Sequence, residues 1–93
     1  ELHYADIAAL VYELEEEQAD FLLRSLETET ASEVISELEE EVRNNFFKHL
    51  PYQKLAEYID LMDSDDAVDI LKEQPIQIRE QVIATLKDRD KAK

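Results

Sequence analysis

VISELEEEVRNNFFKHLPYQKLAEYIDLM, residues 34–62, carries one apolar triplet three times. Val34, Ile35 and Leu38 form the first copy. Phe46, Phe47 and Leu50 form the second, and Tyr58, Ile59 and Met62 the third, each twelve residues after the last. Offsets of 0, 1 and 4 share one face of an α-helix. The beat runs outward in both directions. Backwards it meets Leu22, Leu23 and Leu26, then Leu10, Val11 and Leu14. Forwards it meets Ile70, Leu71 and Gln74, then Val82, Ile83 and Leu86. Of these 21 slots only Gln74 is clearly polar. A repeat this regular reads as stacked copies of one small unit. Such stacks present extended surfaces, which suits docking or sensing better than chemistry.

The spacing also fixes the unit. At ~3.6 residues per turn, twelve residues rotate the stripe by roughly 120°. One continuous helix would smear its apolar face around the rod, so the chain must break in every unit. Breakers fall on the same beat. Pro51 and Pro75 each follow an anchor slot, and proline suits a helix start while pushing the residue before it out of helical geometry. Asp63 holds the equivalent slot and is suited to cap the next helix, with Asp66 three residues on. The pattern predicts seven short helices, near 5–14, 17–26, 29–38, 41–50, 52–62, 64–74 and 76–86. A further row reads Ile7, Ala19, Ala31, Leu55 and Ala67. Arg43 and Arg79 interrupt it, and Val42 and Ile78 stand one residue earlier. That alternation hints at a 24-residue unit of two helices, but a small local shift of the stripe is the reading preferred from the sequence.

Composition narrows the function. Ninety-three residues make one domain with one modest core. Glycine is absent, which argues against β-hairpins and against Gly-rich phosphate loops. Cysteine is absent, which removes disulfides, thiol nucleophiles and cysteine metal sites. The longest apolar run, Ile7–Tyr12, is far too short to cross a bilayer. With 24 acids against 10 bases, the formal net charge is −14. Nucleic acid and anionic membrane surfaces are poor partners for such a chain. A periodic apolar fraction of 44% argues against disorder in residues 5–86. Residues 87–93, KDRDKAK, extend no stripe and read as a charged tail or the start of a linker, and a chain opening on Glu1 reads as a piece of a larger one. The domain is therefore placed at residues 1–86.

Candidate sites are few. His3 and His49 have no metal-ligand spacing and read as surface or capping histidines. Ser25, Ser32, Ser36 and Ser64 lack a nucleophile context such as GxSxG, so no enzyme is expected. Tyr4, Tyr12, Tyr52 and Tyr58 read as packing or interface residues. Glu15–Glu17, Glu27–Glu29 and Glu39–Glu41 open helices, where acids favour the helix dipole by a few tenths to ~1 kcal/mol. The run Asp60, Asp63, Asp65, Asp66 and Asp69 is denser. Asp65 and Asp69 are neighbours on one helix face, where like charges destabilise. Dipole compensation therefore does not explain Asp69. An EF-hand is excluded, because the central glycine is missing and the twelfth position of a loop opening at Asp63 is Gln74. A half-built hard-cation site and a solvated acidic face both fit this run.

Three stretches resemble a known family. LHYADIAALVYEL is similar to the L-H-P-A-D-I-A-x-L-L-x-E-L opening of the N-terminal domain of MgtE magnesium transporters. ASEVISELEEEVRNNFFKHL resembles its A-A-E-V-L segment, and LAEYIDLMDSDDAVDILKEQP its L-A-x-I-L-x-x-M-x-x-D-D-A-A-D-L-L segment. Together they span nearly all of residues 2–86. Tyr4 stands where proline is usual and Gln74 where leucine is usual; neither touches the acidic positions.

The resemblance implies an all-α, right-handed superhelix, an armadillo-like α-solenoid, on the cytoplasmic side of the inner membrane. It implies cystathionine-β-synthase-type (CBS) domains and a transmembrane pore in the same parent protein, which would be a homodimer. It implies Mg²⁺ held between this domain and the CBS domains, favouring the closed channel. By motif position the ligands would be Glu33, Asp65 and Asp69, with Asp66 adjacent, and the chain alone would bind the ion weakly or not at all. The competing expectation is a purely structural docking module like the middle domain of the flagellar motor-switch protein FliG. Its E-H-P-Q opening corresponds here to LHYAD, and the DSDDAVD run fits it less well.

Overall fold

In the computed structural model, residues 3–91 are described, with side chains through Asp88. Expectations that touch Glu1, Leu2, Ala92 and Lys93 lie outside the described residues. Seven helices follow one another: α1 (Tyr4–Glu13), α2 (Glu16–Ser25), α3 (Thr28–Glu37), α4 (Glu40–Phe47), α5 (Tyr52–Asp60), α6 (Ser64–Glu73) and α7 (Ile76–Lys91). No strand occurs among the described residues.

The breaks fall on the twelve-residue beat, and the anchor slots make them. Leu14, Leu26, Leu38 and Gln74 are helix C-caps in extended conformation, with ψ between 149° and 154°. Helices therefore end one residue before the anchor, which serves as the first residue of the turn. Glu15, Glu27, Glu39, Pro51 and Asp63 are the N-caps, also extended or nearly so. An extended exit needs no left-handed residue. This is how a chain without glycine makes tight turns, and no described residue has positive φ. Acids occupy the first turns of α1, α2, α3, α4 and α6, where the dipole favours them. Asp63 sits at the N-cap position but makes no side-chain cap hydrogen bond, so its contribution there is electrostatic.

Three boundaries differ from the expected ones by two residues or more. α5 stops at Asp60, two residues before Met62. α4 stops at Phe47, and Lys48–Leu50 form a turn ahead of Pro51. α7 runs on to Lys91, past the last apolar slot. Lys, Arg and Asp can extend a solvated helix without a stripe, and bases favour its C-terminal end.

The helices alternate in role. α1 packs on α3, α3 on α5 and α5 on α7, so the odd-numbered helices form one row. α2 and α6 pack on their chain neighbours at the side of that row. The 24-residue pair is thus the packing unit. The core is the predicted stripe: Val11, Leu23, Ile35, Phe47 and Ile59 from one slot, Val34, Phe46, Tyr58, Ile70 and Val82 from another, all buried. Val42 and Ile78 pack against it, as expected from their one-residue shift. Leu10 and Ile83, on the outermost helices of the described stack, are exposed because no helix lies over them there.

Candidate functional site

The acidic run begins at Asp60, the end of α5, passes the N-cap Asp63 and continues on α6. Asp65 and Asp66 are in its first turn and Asp69 is one turn on; all three are exposed. Glu33 projects from α3 beside fully buried Val34 and is half-buried. Among the described residues these four carboxylates accept no hydrogen bond and form no ion pair. The structure does not bring Glu33 together with the aspartates: no group of three or more His, Asp or Glu side chains able to hold a metal exists among the described residues. The described residues by themselves therefore build no cage.

The histidines behave as surface groups. His3 Nδ1 accepts the Ala5 N–H at 3.2 Å and caps α1. His49 Nε2 lies 3.0 Å from Glu16 Oε1, both exposed, and its carbonyl accepts from Arg24 Nη2 at 3.2 Å. Glu15, Glu17 and Asp20 line the same shallow crevice. Tyr12 Oη accepts the Glu39 N–H at 2.7 Å, tying α1 to the start of α4.

The feature that sequence reasoning missed is a polar clamp. Arg43 is 6% exposed although it occupies a core row. Its Nη2 donates to Glu73 Oε2 at 2.7 Å and to Oε1 at 2.9 Å, and its Nε to Oε1 at 3.2 Å. Its Nη1 donates to the Leu38 carbonyl at 2.6 Å and the Ile35 carbonyl at 3.4 Å, closing the end of α3. One residue along, Gln74 Nε2 donates to Asn44 Oδ1 at 2.9 Å and to the Ile70 carbonyl at 3.2 Å. The two polar intrusions in the repeat, Arg43 and Gln74, thus sit side by side. Arg79, the other interruption, closes the end of α6 through the carbonyls of Leu71, Lys72 and Gln74, each at 3.2 Å. The signal was in the sequence: an arginine in an apolar row needs buried acceptors, and the anchor row had one polar member to offer a neighbour.

Seven short helices around one apolar stripe, with the aspartates of α6 exposed, define an all-α helical-repeat domain. The chain belongs to the family described as the MgtE intracellular N domain, whose model matches residues 2–93. That family match agrees with the resemblance of the three motifs and sets the domain in the context of magnesium transport, as one part of a larger MgtE protein. No curated protein matches the chain significantly, and no solved structure does.

Proposed function

We propose that this domain is the regulatory, Mg²⁺-responsive part of an MgtE-like transporter, and that it acts without catalysis. The observation that carries the reading is the set of exposed, unpaired carboxylates on α6 in a chain of this family. Asp65 and Asp69, with Asp66 beside them, and Glu33 on α3 would each face CBS domains of the same parent protein at the inner face of the membrane. Two acidic surfaces repel; at an effective dielectric near 20, each close pair costs on the order of a few kcal/mol. Mg²⁺ between them relieves that cost and draws the domains together. The compact arrangement favours the closed pore, because a ligand shifts a two-state equilibrium by its differential affinity for the states. The parent would work as a homodimer. The chain alone supplies only part of each coordination shell, so its own affinity should be low, on the order of millimolar. Amide shifts of the chain titrated with MgCl₂ test this. Weak, saturable shifts centred on Val68–Ile70 and on Val34, lost in Asp65→Asn/Asp69→Asn for the first group, support it. Tight binding by the chain alone, or shifts centred elsewhere, would contradict it.

A further inference from the structure

α6 is attached to the molecule differently from its neighbours. α5 fully buries Leu55, Ala56, Tyr58 and Ile59; α6 fully buries only Ile70, with Ala67 and Leu71 partly buried against the core. Its N-terminal half is acidic and exposed, and its N-cap makes no side-chain hydrogen bond. Polar bonds from outside the helix converge on its C-terminal end: Arg43 on Glu73, Asn44 on Gln74, and Arg79 on the last carbonyls. Such bonds hold only at good geometry, whereas apolar contact tolerates sliding.

The two ends of the clamp are unequal. Arg43 keeps the Leu38 and Ile35 carbonyls as acceptors whether or not Glu73 is present. Glu73, 17% exposed, and Gln74 form part of the wall of a groove of about 470 Å³ that opens to solvent, so Glu73 has a path to water. Separation would therefore leave neither charge stranded. α2 also buries a single apolar residue, Leu23, but its ties to His49 are exposed and correspondingly weak.

We propose that α6 is a separately opening unit, latched onto α4 by the Arg43–Glu73 and Asn44–Gln74 pairs. Its opening moves Asp63, Asp65, Asp66 and Asp69 together, while the odd-numbered row stays folded. The latch stands whether or not the acids bind a cation. It makes the position of the acidic face a two-state property that a binding partner can bias.

Native-state hydrogen exchange by NMR, with denaturant varied, tests it. In the unmodified chain, amides of Val68–Lys72 should open as a group, with weak denaturant dependence and at lower free energy than those of Ile35 and Ile59. Glu73→Gln should speed exchange in α6 by about 10- to 100-fold, the worth of a charge-assisted bond. Gln74→Leu, which keeps an apolar anchor, should speed it less, and α3 and α5 should keep their rates in both. If the unmodified α6 opens only together with α5, the proposal is overturned. It is overturned equally if the variants leave α6 unchanged or accelerate all helices alike.

Discussion

Arg43 shows what a single residue contributes here. It stands in a row otherwise filled by Ile7, Ala19, Ala31, Leu55 and Ala67, and it stays buried because α3's last carbonyls and Glu73 meet all of its donors. Arg43→Ala leaves the partly buried Glu73 and those carbonyls without their donor. Chemical denaturation should register a loss of about 1–3 kcal/mol, the cost of leaving the buried carbonyls without their donor, since Glu73 itself can reach water. Arg43→Met with Glu73→Met should recover part of that loss, since apolar contact then replaces the broken pair. Tyr58 offers a different probe. Burial pushes its phenol above the ordinary value of 10.0, with Lys54 close by acting in the opposite direction. The folded state favours the neutral phenol. That stability is fully present below the unfolded value and is lost as pH rises beyond about 10 toward the folded value. In Tyr58→Phe the alkaline fall in melting temperature should be shallower. The Ser32 hydroxyl bond is unaffected, because it goes to the Tyr58 carbonyl at 2.7 Å. An unchanged alkaline slope would show that Tyr58 does not govern it.

At the scale of elements, apolar spacing located all seven helices, because burying one face requires offsets 0, 1 and 4 whatever else the chain does. The same signal is silent on how a helix ends. The anchor leucines satisfy burial equally well as last helical residues or as extended caps, and α7 continues to Lys91, past the last apolar slot. Leu38→Asp should cost several kcal/mol, since it buries an unpaired charge in the stack. Glu40→Ala, in the exposed first turn of α4, should cost under ~1 kcal/mol. Similar losses of melting temperature for the two would contradict the register. The acids of α6 are expected to be dispensable for folding: Asp65→Asn with Asp69→Asn removes a like-charge i,i+4 pair and should change stability by no more than about 0.5 kcal/mol.

For the whole molecule, charge is the governing quantity. A net −14 concentrates repulsion in the folded state that the unfolded chain relaxes. Screening shortens its reach to ~8 Å at physiological ionic strength, so thermal midpoints should rise with NaCl. A flat or falling midpoint would mean that local pairs such as Arg43–Glu73 outweigh the net charge. The row of odd-numbered helices was half-legible in the sequence: the interruptions at 43 and 79 hinted at paired helices, but periodicity cannot say which helices touch. The acidic positions were legible as residues and not as a site, since among the described residues they form no metal-holding group and the proposed site needs another surface to complete it. The direct test is therefore made with that surface present. Small-angle scattering of the intact cytosolic region of the parent, with and without Mg²⁺, should show compaction in the native protein and markedly less in Asp65→Asn/Asp69→Asn. Equal compaction with both aspartates neutralised would mean that they are solvated helix-face residues and that the ion acts elsewhere.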